Sequence, residues 1–203
     1  MPAHAVHKRF LETAVDLSPA LLAAFERAGP QQMRSRADMP FALYLCRAIV
    51  GQQLSTKAAR TIWRRVEECA GARPALDFIC AGNADALRTC GMSAAKAKAI
   101  VAIADTHRGG GLDAEALRAM PSDERTAALT AIWGVGQWTA DMMSMFYFGD
   151  EDIWPDGDVA ARKTLQKLTS RRRKTTRTAE RFAPHRSYLA LYMWAHADAP
   201  PMG

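Results

Sequence analysis

The chain has 203 residues, of which 49% are hydrophobic and 24% are charged. This size and composition fit one compact unit, and they exclude a disordered protein or a small scaffold held together by disulfides. With 27 basic and 21 acidic residues the net charge is +6, which favours nucleic acid as the partner over an anionic membrane surface.

The composition also predicts the fold class, which is all-α. The sequence contains 39 alanines, which favour helices, against 14 valines and isoleucines, which favour strands. No stretch reaches the ~20 apolar residues of a membrane span, and the N-terminus lacks the apolar run of a signal peptide. We therefore expect a soluble, cytoplasmic protein that does not bind membranes, associated with the nucleoid if its source is bacterial.

The cysteines are too scattered to predict a metal site or a disulfide framework. None belongs to a CxxC pair, and none lies near a histidine cluster. We expect reduced thiols that are mostly packed in helices, and no bound metal. The four positions are Cys46, Cys69, Cys80 and Cys90.

Capping residues and the spacing of apolar residues predict a series of helices. Proline in a first turn and glycine after a last turn mark several of their ends. In chain order, the predicted helices run from Ser18 to Gly29, from Pro40 to Gly51, after Ser55, from Ser93 to a break at Gly109, over 113–120 and 123–132, from about Trp138 to Phe148, from near Asp158, and from Tyr188 to His196.

Two glycines lie between predicted helices in the segment Leu129-Thr-Ala-Ile-Trp-Gly-Val-Gly-Gln-Trp-Thr-Ala140. A Gly134-Val135-Gly136 turn followed by Thr139 can present consecutive backbone N–H groups at a helix N-terminus, where partial positive charge attracts phosphate. The turn therefore predicts a grip on a nucleic-acid backbone, although glycine also serves in an ordinary turn between two helices.

Two further segments accompany this hairpin: Ile49-Val-Gly-Gln-Gln-Leu-Ser-Thr-Lys-Ala-Ala59 and Asp152-Ile-Trp-Pro-Asp-Gly-Asp-Val-Ala-Ala-Arg162. Residues 91–104 and 184–194 add weaker matches. In this order the segments resemble the helix-hairpin-helix DNA glycosylase superfamily. The Gly-Gln-Gln-Leu-Ser stretch resembles its alkylpurine family, the DNA-3-methyladenine glycosylases II. The resemblance covers about residues 40–196.

The resemblance implies the all-α helix-hairpin-helix glycosylase fold, in which two helical lobes flank the active-site cleft. The central lobe would cover about residues 40–150 and end in the hairpin, and residues 1–39 with 158–203 would form the second lobe. Residues 1–203 would then be a single catalytic unit that works as a monomer on double-stranded DNA containing alkylated bases.

Asp158 matches the catalytic aspartate of the superfamily. An anionic carboxylate beside C1′ would stabilise an oxocarbenium-like sugar and orient or deprotonate water. Asp158 also precedes a predicted helix and is a good N-cap, and both roles can hold together. Asp156 is the nearest competitor, and we interpret it as a turn residue.

Gln53 matches the position at which the family fills the gap left by a base that has swung out of the duplex. Some relatives carry an apolar wedge at this turn, so Leu54 is a second candidate for gap filling. The alternative for Gln53 is a turn residue whose side chain bonds to the local backbone.

Trp138 stands where lyase-competent relatives such as endonuclease III carry a lysine. Because an indole has no amine to attack C1′, the resemblance implies a monofunctional enzyme without strand cleavage. Trp138 also matches the family's pocket tryptophan, which can stack on a cationic base, although a packed core residue is the alternative. Met142, where a relative has tyrosine, and Trp154, Trp194 and Tyr188 are weaker candidates for the base pocket.

The implied reaction is hydrolytic excision of alkylated purines of the 3-methyladenine and 7-methylguanine type, which leaves an abasic site. No cofactor is implied, since the chain has no cysteine after Cys90 to hold an iron–sulfur cluster. Two alternatives stay open: a non-catalytic helix-hairpin-helix module that binds DNA, and a glycosylase for oxidised or mismatched bases. The basic loop Arg171–Lys174 with Arg177 is either a phosphate contact or a solvated connection.

Overall fold

The structure, a computed structural model, describes residues 3–197, and in this range it contains helices, turns and loops but no β-strand. The predicted all-α class is therefore confirmed. The helices are α1 (Ala3–Val15), α2 (Pro19–Ala28), α3 (Phe41–Gly51), α4 (Thr56–Ala70), α5 (Ala75–Phe78), α6 (Ala84–Thr89), α7 (Ala94–Arg108), α8 (Ala114–Ala119), α9 (Ser122–Thr130), α10 (Gln137–Met143), α11 (Val159–Leu168), α12 (Thr175–Ala179) and α13 (Arg186–Ala197), with 3-10 turns at Ala81–Asn83 and Glu180–Phe182 and a π-helical turn at Ser144–Phe148.

Side-chain capping starts the helices where the sequence predicts it. The Ser18 hydroxyl accepts from the backbone N–H of Ala20, and the hydroxyls of Ser55 and Ser93 cap α4 and α7 in the same manner. Each cap satisfies a backbone donor that has no partner inside its helix. The three predicted helix starts are therefore confirmed. They could be predicted because a cap depends only on residues close to it in sequence.

Some helices were not predicted, and one differs from its prediction. Helix α1 buries Val6, Phe10 and Ala14, so a signal at a spacing of four residues was present. The short helices α5 and α6 lack such a repeat. The helix predicted to run to Phe148 ends as an α-helix at Met143 and continues as the π-helical turn.

The chain divides into two compact units, one of residues 36–143 and the other of residues up to 35 together with those from 144 on. The sequence analysis assigned residues 144–150 to the central lobe, whereas in the structure they belong to the unit that contains the residues up to 35. The Phe146 and Trp194 rings lie 6.1 Å apart, and the Ser35 hydroxyl donates to the Tyr147 carbonyl at 2.8 Å.

The unit of residues 36–143 is built around α3. This helix packs against α4 and α7 and buries Leu45, Cys46 and Ile49. The Cys46 thiol lies 3.9 Å from the Ile100 carbonyl, and burial raises its pKa. Of the four cysteines, Cys46 alone is both helical and buried, so the expectation that most of them pack in helices was wrong.

The other unit is held together by an aromatic cluster from α1, α2, α13 and the 3-10 turn. Its four rings, with centroids 4.6 to 5.8 Å apart, are those of Phe10, Phe25, Phe182 and Tyr192. The Tyr192 hydroxyl meets His7 Nδ1 at 2.6 Å, which satisfies the polar group of a ring that is 2% exposed. Helix α11 packs against α13 in this unit. No helix between residues 3 and 197 is long and apolar enough to cross a bilayer.

Candidate active site

The glycine hairpin between α9 and α10 has a backbone that requires glycine at its first position. Gly134 has φ +85°, and a Cβ there would lie 2.5 Å from the Ala99 Cβ on α7. Val135 is 4% exposed, and its N–H donates to the Ile132 carbonyl at 3.0 Å. The hairpin is therefore seated tightly on α7 through Gly134 and anchored by the buried Val135.

The second glycine of the hairpin faces open space. A Cβ at Gly136 would meet no heavy atom of the described residues within 4 Å, and Gly136 is exposed. Thr139, one turn later on α10, is 3% exposed, and its hydroxyl oxygen accepts from Gln52 Nε2 at 3.0 Å. At Gly136 glycine thus leaves the backbone accessible, while the Thr139 side chain is engaged inside the protein.

Helix α10 carries Trp138, Asp141 and Met142. Trp138 is half-buried, whereas Met142 is 1% exposed and packs in the interior. Burial raises the pKa of Asp141 to about 6, against the opposing effect of a 2.8 Å hydrogen bond from Gln137 Nε2. Of the two pocket candidates on this helix, Trp138 is therefore the less buried.

The turn that joins α3 to α4 presents the two gap-filling candidates to solvent. Gln53 is exposed and has φ +58°, a left-handed backbone conformation that residues other than glycine rarely adopt. Leu54 is 40% exposed. The Leu54 N–H donates to the Gly51 carbonyl at 3.1 Å, so the turn is closed by a backbone hydrogen bond.

Asp158 lies at the N-terminus of α11, as its sequence context predicts. Its Oδ1 accepts from the Ala161 backbone N–H at 2.8 Å and from the Trp194 indole N–H at 3.0 Å. Asp158 itself is half-buried. Both bonds, one of them from the N-terminus of α11, stabilise a negative charge on this carboxylate.

Trp194 is 4% exposed, so little of its ring surface is open to a ligand. The sequence analysis treated Trp194 as a candidate wall of the base pocket and missed its bond to Asp158. The two residues are 36 positions apart, and no periodicity in the sequence links them.

Asp156 organises the loop that leads to α11. Its Oδ1 accepts from the Trp154 indole at 3.1 Å and from the Thr175 hydroxyl at 2.5 Å. Pro155 between them is buried. Trp154 is half-buried with its N–H bound to Asp156, so the carboxylate of Asp156 fixes the loop, which agrees with its interpretation as a turn residue.

A second network fastens the same loop to the start of α13. The Arg186 guanidinium donates twice to Asp152, at 2.7 and 3.0 Å, and the Arg186 backbone N–H donates once, at 3.2 Å. Ser187 Oγ accepts from Ile153 N at 2.9 Å and donates to the Asp150 carbonyl at 2.7 Å. Burial raises the pKa of Asp152, but the bonds from Arg186 outweigh it and leave the pKa below its ordinary value. The sequence analysis did not predict these contacts, because the two segments meet only in the folded chain.

The remaining candidates are simple to place. Arg171, Arg172, Arg173 and Lys174 form an exposed loop before α12, and Arg177 is also exposed. Tyr188 is 5% exposed, and its hydroxyl donates to Glu151 Oε1 at 3.0 Å. Within residues 3–197 no three His, Cys, Asp or Glu side chains are grouped to hold a metal ion.

Comparison with known proteins identifies the family. The sequence profile of the HhH-GPD superfamily base excision DNA repair proteins matches residues 46–185. The chain belongs to this superfamily. The matched range includes the Gln53 turn, the hairpin and Asp158, so these features lie within the family's own segment.

Relatives of the chain include proteins named as DNA-3-methyladenine glycosylases. DNA-3-methyladenine glycosylase 1 of Schizosaccharomyces pombe is 30% identical over 158 residues, which cover 74% of this chain and 69% of that one. The crystal structure of a DNA-3-methyladenine glycosidase from Bacillus halodurans is 30% identical, with a TM-score of 0.75 over 91% of this chain and 87% of the other.

The fold is shared across the full described length. The structure of an S. pombe 3-methyladenine DNA glycosylase in complex with abasic DNA aligns with a TM-score of 0.77, over 98% of this chain and 99% of that chain, at 24% identity. The predicted helix-hairpin-helix glycosylase fold is therefore confirmed.

Proposed function

We propose that this protein is a monofunctional DNA glycosylase that excises alkylated purines, of the 3-methyladenine and 7-methylguanine type, by hydrolysis. The observation that carries the proposal is Asp158, a carboxylate that Ala161 N and Trp194 Nε1 hold at a helix N-terminus. Membership of the superfamily and relatives named DNA-3-methyladenine glycosylases support this substrate class.

Asp158 would act on the sugar. Cleavage of the bond between C1′ and the base nitrogen leaves positive charge on the sugar, and an anionic carboxylate stabilises that charge. The same group orients or deprotonates the water that attacks C1′. A purine alkylated at N3 or N7 is already cationic and leaves without further protonation, so the proposal needs no general acid.

The unit of residues 36–143 would hold the DNA. The hairpin residues Gly134, Val135, Gly136 and Thr139 are proposed to bind a phosphate. The donors would be backbone N–H groups other than that of Val135, which donates to the Ile132 carbonyl, and the open space at Gly136 supports close approach of the DNA backbone. The exposed Gln53 and Leu54 are proposed to fill the gap left by the extruded nucleotide. Such a hairpin contacts phosphates without reading sequence, which suits a repair enzyme that must act anywhere.

Trp138 would stack on the cationic base, and it is the residue on which the proposed lack of lyase chemistry rests. Trp138 is half-buried, and its electron-rich ring would attract a positively charged purine more than a neutral one. An indole provides no amine for a Schiff base with C1′. Enzyme action on chromosomal DNA would take place in the compartment that holds it, which in a bacterium is the cytoplasm.

Chromatography of the bases released from methylated duplex DNA tests this function. We expect free 3-methyladenine or 7-methylguanine in the supernatant, and DNA strands that break only after alkali opens the abasic sites. Protein that binds the methylated duplex but releases no base would be a binding module. Strand breaks without alkali would contradict the monofunctional mechanism.

A further inference from the structure

The ammonium group of Lys96 binds two backbone carbonyls of the protein. Lys96 is the third residue of α7, and its Nζ donates to the Val50 carbonyl at 2.8 Å and to the Gln52 carbonyl at 2.7 Å. The side chain is half-buried, and burial lowers the pKa of its ammonium group. The charge of Lys96 is therefore directed into the protein, towards the end of α3.

Both acceptors belong to the C-terminal end of α3, where carbonyl groups lack partners within the helix and carry partial negative charge. The Gln52 N–H turns back to the Ile49 carbonyl at 3.3 Å. An ammonium group has three donors and suits two converging carbonyls. Lys96 thus closes the end of α3 in the place of a capping residue.

The next residue along the chain is Gln53, with φ +58°. A left-handed backbone is unfavourable for glutamine, and it persists where surrounding contacts impose it. The two carbonyls that Lys96 binds flank Gly51, and that of Gln52 immediately precedes Gln53. The contacts of Lys96 therefore constrain the segment that sets the direction of the Gln53 and Leu54 side chains.

The same segment has a second anchor on α10, the helix that follows the hairpin. Gln52 Nε2 donates to the Thr139 hydroxyl at 3.0 Å. Helix α7 also receives the hairpin itself, through the close approach of Gly134 to Ala99. One helix, α7, thus supports both the hairpin and the Gln53 turn.

We propose that Lys96 is a positioning residue for base extrusion: it holds the Gln53–Leu54 turn in the conformation that enters the duplex. The proposal rests on the proposed glycosylase function. A gap-filling side chain must be in place while the nucleotide is extruded, so a loose turn slows the reaction without weakening the contacts to phosphates. Lys96 itself contacts neither the DNA nor the reacting atoms.

The test compares Lys96→Met with Lys96→Arg and with Lys8→Met, which removes the same charge from an exposed position on α1. We expect Lys96→Met to lower the single-turnover rate of base release at saturating enzyme by about tenfold or more. A shift of this size corresponds to loss of a preorganised geometry. Lys96→Arg, which keeps a cationic donor, should restore most of the rate, and Lys8→Met should match the unmodified protein.

Two readouts separate positioning from a phosphate contact or a general loss of folding. Affinity for undamaged duplex and its dependence on salt should be unchanged in Lys96→Met, whereas loss of a phosphate contact would reduce the salt slope by about one. Fluorescence of 2-aminopurine placed next to the lesion should show less base extrusion.

A double-mutant cycle with Gln53→Ala completes the test. If Lys96 acts through the turn, Lys96→Met should slow the Gln53→Ala protein by less than about twofold. Lys96→Gln, which keeps a neutral N–H donor group but removes the charge, takes the place of Lys96→Met if the latter does not fold. A normal rate, a reduced salt slope or additive losses would overturn the role of Lys96 while leaving the glycosylase function intact. Wild-type protein that releases no base would overturn both.

Discussion

The Trp194 indole N–H donates to Asp158 Oδ1 at 3.0 Å, and the Ala161 N–H donates to the same oxygen at 2.8 Å. One bond comes from the last long helix, α13, and the other from the helix that Asp158 caps. The carboxylate is therefore oriented by two elements at once. A carboxylate that must face C1′ benefits from such fixation, because a group held in place does not have to reorganise during the reaction.

Removal of the indole donor should weaken both the fold and the reaction. Trp194→Phe keeps an aromatic ring but leaves Asp158 with one donor fewer, and a hydrogen bond to a charged group contributes about 1.5–3 kcal/mol. We expect loss of stability of this order in urea unfolding, and base release slowed about tenfold. The matched control is Trp63→Phe, which removes an indole bond to Glu67 of 2.8 Å. Equal rates in the two variants would separate Trp194 from catalysis.

The two hairpin glycines should respond differently to alanine. At Gly134 the left-handed backbone costs about 1–2 kcal/mol and the clash with Ala99 about 1–3 kcal/mol more, so Gly134→Ala should unfold at clearly lower urea concentration. Gly136→Ala should keep the stability of the unmodified protein and bind duplex DNA more weakly, since its methyl group would stand where a phosphate approaches. Unchanged DNA affinity in Gly136→Ala would argue against a phosphate at this turn.

Asp141 should make the protein less stable as pH rises through the weakly acidic range. Burial raises its pKa in the folded protein to about 6, from an ordinary value of 3.8. The folded state thus binds the proton more tightly than the unfolded state. Stability contributed by the protonated form is full below about pH 4, declines between about 4 and 6, and is absent above.

The Asp141→Asn variant tests this dependence. Asparagine keeps an oxygen for Gln137 and carries no charge, so the variant should be more stable than the unmodified protein at pH 7, by about 1–3 kcal/mol. Its urea midpoint should change less between pH 4 and pH 6. Parallel pH profiles for the two proteins would contradict a titration of Asp141 in this range.

Local features of the sequence were sufficient to predict much of the fold. The serine caps of α2, α4 and α7, the Gly134 turn and the cap at Asp158 each depend on neighbours a few residues away, and all are present. The short helices α5 and α6 were missed because four or six residues give no clear repeat. The π-helical turn was missed because the sequence pattern of Ser144–Phe148 does not distinguish it from a continuation of α10.

The contacts that position the candidate site could not be predicted in the same way. Trp194 reaches Asp158 over 36 positions, and Lys96 reaches the Gln52 carbonyl over 44. In the sequence Trp194 is an apolar residue in a helix, and Lys96 is one of 27 basic residues. The direction of the Lys96 side chain depends on the packing of α7 on α3, which exists only in the folded chain.

The single-turnover rate of base release from methylated DNA by Asp158→Asn tests the central claim most directly. Asparagine caps a helix about as well as aspartate but carries no charge. We therefore predict a folded protein whose urea midpoint stays close to that of the unmodified chain, with a rate reduced roughly 10²–10⁴-fold. The matched control is Asp156→Asn. Asp156 lies in the same loop but binds Trp154 and Thr175, so this variant should retain base release. An Asp158→Asn protein that released bases at the normal rate would contradict the assignment of this carboxylate to catalysis.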